Sequence, residues 1–169
     1  MDAQNPLLLT LTLNPEAQLF FNALRRQHFP PERNFLDAHL MLFHNLPAGH
    51  DNILADIEAA AAKRPLMPLQ VTDVVSVGKG VAYKIASEPL AELHKYLQHQ
   101  WKQWTIPQDR QRLWPHITIQ NKVTPEEAKA LVAKLSESFE PFEICGTGLG
   151  LWEYLGGPWR FIRDFPFGN

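Results

Sequence analysis

Two short stretches hold the residue types best suited to chemistry. The first is His39-Leu40-Met41-Leu42 and the second is His116-Ile117-Thr118-Ile119. Each is a histidine followed by apolar, variable and apolar positions. In an extended strand alternate side chains share a face. Leu40 and Leu42 then point one way, with His39, Met41 and Phe43 on the other. Ile117 and Ile119 point one way, with His116, Thr118 and Gln120 on the other. If the apolar pairs pack on helices, each histidine stands on the opposite, open face beside the third motif residue.

Two imidazoles facing one small volume suit general acid–base catalysis. Unperturbed histidine titrates at pH ~6.5, so one ring can be neutral while the other carries a proton. The neutral ring accepts a proton from attacking water or hydroxyl, and the charged ring gives one to the leaving oxygen. This scheme needs no metal and suits in-line displacement at phosphorus. A hydroxyl two residues after each histidine would bond the phosphate oxygens on which charge builds. Thr118 offers that hydroxyl; Met41 does not, since a thioether sulfur is only a weak acceptor.

The other histidines are weaker candidates. His28, His50, His94 and His99 fall on or near helices and read as surface residues. His44 is five residues beyond His39, so simple alternation turns it to the opposite face and gives it a structural role. His39, His44 and His50 lack ligand spacing on one face and have no Cys or Glu nearby, which argues against zinc. Arg110, Arg112 and Lys122 flank the second motif; they could meet phosphate or form a solvated face. Trp152, Tyr154 and Trp159 could stack on a base or fill the core. Gly78-Lys79-Gly80 reads as a hairpin turn, not a phosphate loop.

The elements needed to hold both histidines occur twice along the chain. Residues 7–13 read as a strand, and Asn14-Pro15-Glu16 as a helix start with Asn as cap. Ala17, Phe20, Phe21 and Leu24 form that helix's inner face. After the first motif strand, residues 51–63 read as a helix with Leu54, Ile57 and Ala61 inward. A hairpin turns at residues 78–80. Ser87 then caps a helix with Leu90, Leu93, Leu97 and Trp101 on one stripe. The second motif strand follows, and Thr124-Pro125-Glu126-Glu127 is a capping box. Its helix carries Ala128, Leu131, Val132 and Leu135 inside. One or two hairpins around Gly156-Gly157 close the chain. Pro68-Leu69-Gln70-Val71 in the first half matches Pro141-Phe142-Glu143-Ile144 in the second. The expected class is α+β: two largely antiparallel sheets with outer helices around a central cleft, arising by internal duplication. Residues 1–169 form one domain of two pseudo-symmetric lobes, about 1–78 and 79–169, with room for strands to be exchanged between lobes.

The bulk composition agrees with a globular chain. It has 169 residues, 45% hydrophobic and 20% charged, and net charge −2. A protein that tracks long nucleic acid by charge is expected to be basic, so this one would grip an end or a single phosphate. The one cysteine, Cys145, leaves no internal disulfide. The apolar run near the start is too short to span a bilayer and lacks a charged leader. A cytoplasmic monomer without membrane contact is expected.

The tandem His-x-Thr-type motif, the half-chain spacing and the paired lobes resemble the two-histidine phosphoesterases. The nearest branch is the 2′-5′ RNA ligase, or RNA 2′,3′-cyclic phosphodiesterase, group. "QDRQRLWPHITIQNKV" and "GLWEYLGGPW" are similar to a bacterial subgroup of it. The resemblance implies a bilobal fold with both motifs lining a cleft, no metal and no cofactor. It implies His39 and His116 as the acid–base pair and Thr118 as a phosphate-holding hydroxyl. Met41 stands at the substituted phosphate-binding position. The implied substrate is an RNA end with a 2′,3′-cyclic phosphate, or a small cyclic nucleotide. The rival expectation is a non-catalytic nucleotide or RNA-end binding module with a degenerate first motif.

Overall fold

A computed structural model describes residues 4–168. The strands are β1 Leu7–Leu13, β2 Leu40–Leu46, β3 Met67–Ser76, β4 Val81–Ala86, β5 His116–Gln120, β6 Phe142–Tyr154 and β7 Trp159–Pro166. The helices are α1 Pro15–His28, α2 Asp51–Ala62, α3 Glu88–Gln100 and α4 Pro125–Ser136. No helix among the described residues is long and apolar enough to cross a membrane.

All seven strands join one antiparallel sheet, in the order β2-β1-β6-β3-β4-β5, with β7 also on β6. This corrects the expected two sheets. The cause is β6, which is 13 residues long. Its first part, Phe142–Gly146, pairs with β3. From Gly146 it pairs with β1 on one side, and from Gly148 with β7 on the other. One strand thus serves both halves. The sheet curls, because β2 and β5 stand at opposite ends of the strand order yet contact each other.

Local signals set most elements. Ser87 Oγ accepts the Leu90 N–H, and Leu90, Leu93, Leu97 and Trp101 are all buried along α3. Thr124 and Glu127 make the reciprocal capping box that starts α4. Asn14 departs from expectation. Its side chain does not cap α1. Instead Asn14 Oδ1 accepts the Cys145 N–H and ties the β1–α1 junction to β6. The inner face of α1 is also rotated from expectation. Ala17, Phe21 and Arg25 are buried, while Phe20 is 45% exposed. On α2, Ile53, Ile57, Ala60 and Ala61 are buried.

His94 is not on the surface. It is 3% exposed, stacks on Phe43 and sits 3.0 Å from the Leu42 carbonyl, to which its Nε2–H donates. A buried ring needs such a partner, because an unmet polar group in the core is costly.

Both motif strands carry the same irregularity. In β2, Thr10 faces Met41 but Leu9 faces Phe43, so Leu42 and Phe43 share one partner. In β5, Ala82 faces Thr118 but Val81 faces Gln120, so Ile119 and Gln120 share one partner. These are β-bulges, which add a residue and reverse the alternation beyond it. Leu42 and Phe43 are accordingly both buried, as are Ile119 and Gln120. Gln120 therefore leaves the face of His116, contrary to the alternation. Its Oε1 is buried without a hydrogen-bond partner among the described residues. His44 likewise moves to the side of Met41. A second shift sets His44 and Asn45 together opposite Leu8, and the His44 side chain is 44% exposed.

Candidate active site

His39 lies just before β2 and His116 opens β5. The two rings are held in the same way. His39 Nδ1–H donates to the Asp37 carbonyl at 2.8 Å, and His116 Nδ1–H donates to the Trp114 carbonyl at 2.8 Å. A carbonyl can only accept, so Nδ1 carries the proton in each ring. Nε2 is then the atom that takes or gives a proton, and no protein group bonds it in either ring among the described residues. Each ring also packs on a tryptophan. His39 lies 4.6 Å from Trp159, and His116 lies 4.7 Å from Trp114, centre to centre.

Burial pushes the His39 pKa from 6.5 to about 4. The bond to the Asp37 carbonyl works against that, while the charges of Arg25, His116 and His44 add to it. His116 and His44 are thus near enough to His39 for their charges to count. At neutral pH in the free protein, His39 Nε2 holds a lone pair.

Spacing gives no sign of Arg25, because the expected inner face of α1 runs through Phe20 and Leu24. It is 4% exposed on the face of α1 that meets β5. Its Nε–H donates to Asn34 Oδ1 at 3.0 Å, and Nη1–H donates to the Thr118 carbonyl at 3.3 Å. The guanidinium lies 4.1 Å over the Phe29 ring. Burial lowers its pKa, and Asp37 opposes that. A cation thus ties the second motif strand to the segment that carries His39.

His39 opens into a cavity of about 380 Å³ also lined by Thr10, Thr12, Asp37, Trp152 and Trp159. Tyr154 and His116 do not line it. Trp152 and Trp159 are half-buried there, between the stacking surface and the core that sequence allowed. Thr10 is the cross-strand partner of Met41, so the two side chains are ~5 Å apart at Cβ on one face. Thr10 Oγ1 accepts the Trp152 Nε1–H at 3.0 Å and lies 3.5 Å from the Gly150 carbonyl. Gly150 leaves room for this arrangement. A Cβ there would lie 3.1 Å from Thr10 Oγ1 and 3.2 Å from Trp152 Nε1. No simple sequence signal marks Thr10, because strand register makes it the neighbour of Met41.

Thr118 is half-buried, and its hydroxyl has no hydrogen-bond partner among the described residues. Met41 is half-buried too. Arg110 Nε–H donates to Thr105 Oγ1, while Arg112 and Lys122 are exposed. Among the described residues, no three His, Cys, Asp or Glu side chains group as metal ligands.

The curled α+β sheet brings the two motif strands, β2 and β5, into contact. The sequence profile of the 2'-5' RNA ligase superfamily matches residues 13–158, and the chain belongs to that superfamily. Solved structures share the fold. TT0787 of Thermus thermophilus aligns with TM-score 0.67 and 15% identity, covering 97% of this chain and 98% of that one. E. coli LigT complexed with phosphate aligns with TM-score 0.60 and 18% identity, over 99% of this chain and 100% of that one. E. coli LigT complexed with 3'-AMP gives 0.62 and 17%, over 98% and 99%. A search of curated proteins finds no match.

Proposed function

We propose that this protein is a phosphodiesterase that opens 2′,3′-cyclic phosphate ends of RNA, or a small cyclic nucleotide, without a metal. With an RNA 5′-hydroxyl in place of water as the nucleophile, the same ring opening, in which the 3′-oxygen leaves, would make a 2′-5′ linkage. The observation that carries this reading is the matched pair His39 and His116. Each directs Nε2 outward by giving its Nδ1 proton to the carbonyl two residues back. The repeated bulge after the third motif position supports the duplicated-lobe reading behind the pair. LigT structures hold phosphate and 3'-AMP, in keeping with a nucleotide or RNA-end ligand here.

In the scheme, one ring activates water and the other protonates the departing ribose oxygen. Family resemblance gives His116 the base role and His39 the acid role. With a pKa of about 4, His39 is neutral in the free protein. The acid role therefore depends on the substrate: its phosphate charge beside the ring favours the protonated form. Thr118 supplies a hydroxyl to a phosphate oxygen on the second strand.

The direct test is His116→Ala assayed on a 2′,3′-cyclic-phosphate oligonucleotide. Loss of a general acid or base costs ~10²–10⁴ in rate, and unchanged turnover would remove the proposal. The second reading, a binding module without turnover, draws on Met41 at the phosphate-binding position. Tight nucleotide binding with no turnover on any cyclic phosphate would establish it.

A further inference from the structure

We infer that His44, held by Asp109, forms a second phosphate contact that selects RNA ends carrying an internal phosphodiester over single nucleotides. This rests on the phosphodiesterase reading above. The first ground is placement. The bulge in β2 carries His44 to the side of Met41, and its ring is 44% exposed. The second is orientation. Asp109 has a side chain with 0% exposure and accepts the His44 Nδ1–H at 3.0 Å. The same carboxylate accepts the backbone N–H groups of His44 and Asn45 at 2.9 to 3.0 Å. Those backbone bonds already cover the bulge. The imidazole bond is additional, and its effect is to fix the ring with Nε2 turned away from the carboxylate. With Nδ1 engaged by Asp109, Nε2 is the ring atom left to meet a ligand.

Distance then separates this group from the reacting phosphate. One of the five steps from His39 to His44 is taken up by the bulge. Four strand steps of ~3.3 Å leave the two Cα atoms about 13 Å apart. Parallel side chains so separated do not bond one phosphate. They suit neighbouring phosphates of one strand: the cyclic end at His39 and the 5′-linked phosphodiester at His44. His44 is close enough for its charge to act on His39. The segment that brings Asp109 also carries Arg110 and Arg112, both exposed, which favours an anion on this rim.

The test compares wild type with His44→Gln, a change at an exposed side chain. The substrates are adenosine 2′,3′-cyclic phosphate, a dinucleotide ending in the same group, and that dinucleotide with a neutral methylphosphonate linkage. The ratio of kcat/KM, dinucleotide over mononucleotide, is expected to fall about ten- to a hundredfold, the range for one hydrogen bond to a charged group. The neutral linkage should lower the wild-type ratio in the same way and the variant's little further. An unchanged ratio, or equal losses on both substrates, overturns the inference. If wild type opens neither cyclic substrate, the phosphodiesterase reading itself fails. Calorimetric binding of a 3′-phosphorylated dinucleotide and a 3′-mononucleotide then decides the subsite. A dinucleotide preference lost in His44→Gln keeps it, and no preference in wild type overturns it.

Discussion

Acidification should reveal His39 before any substrate is known. Burial holds its folded pKa at about 4, against 6.5 in an ordinary environment. The unfolded chain therefore takes up this proton as pH falls below 6.5, while the folded chain refuses it until about 4. The contribution to stability is intact above 6.5 and is lost progressively between 6.5 and 4. Each pH unit is worth ~1.4 kcal/mol, so the whole gap is about 3.5 kcal/mol. About 2 kcal/mol of it is gone by pH 5. His94 and His28 are also lowered by burial and act with the same sign. The group is therefore isolated by comparison with His39→Gln. Denaturant unfolding at pH 7 and pH 5 should show wild type losing about 2 kcal/mol more than the variant. NMR titration of the ring protons should place the His39 midpoint near 4, and inorganic phosphate should raise it. A midpoint near the ordinary value, with equal acid losses in both proteins, would refute the argument. It would mean that water reaches the ring freely and that burial does not govern its charge.

Other outcomes follow from single contacts. Met41→Thr should raise kcat on a 2′,3′-cyclic phosphate, by up to the ~10²–10³ that one oxyanion donor commands; no gain on any cyclic phosphate would show that the position is not vacant. Thr10→Val removes the hydroxyl opposite Met41. It should slow the Met41 protein about tenfold or more and the Met41→Thr protein less, a coupling that a double-mutant cycle in kcat measures. Gly80→Ala should destabilise the fold by roughly 1–3 kcal/mol, because the added Cβ would meet the Gln120 carbonyl where β5 pairs with β4. An unfolding midpoint equal to wild type would argue against that close approach.

The parts of the fold that were legible in the sequence are those fixed by neighbours along the chain. The Ser87 and Thr124 caps, the α3 stripe and the 78–80 turn each depend on residues within a few positions. The rotated face of α1 shows the limit. Spacing alone favoured Phe20 and Leu24, but the helix seats Arg25 against β5, where its charge meets a carbonyl and an aromatic ring. The two sheets expected from the halves became one for a related reason. Hydrophobic pattern marks β6 as a strand, but not that its two parts have different partners.

Alternation failed in a more informative way. A period of two holds only while each residue has one partner across the sheet. Both motif strands break that condition one residue after Met41 and Thr118, so His44 and Gln120 each lie on the face opposite to the one alternation predicts. Two adjacent large apolar residues, Leu42 and Phe43, hint at the first bulge; Ile119 and Gln120 give no such hint. The same register decides how the Met41 substitution is understood. Along the chain, Met41 is a missing hydroxyl. Across the sheet, its neighbour is Thr10, whose lone pair is held by Trp152 and whose proton faces only a long contact to Gly150. Thr10 and His39 line one cavity, so that proton would be the one available to an anion bound there. The first motif's donor is then sought on the adjoining strand. A gain from Met41→Thr with no cost from Thr10→Val means that the donor was lost; a cost from Thr10→Val that Met41→Thr relieves means that Thr10 holds part of the role.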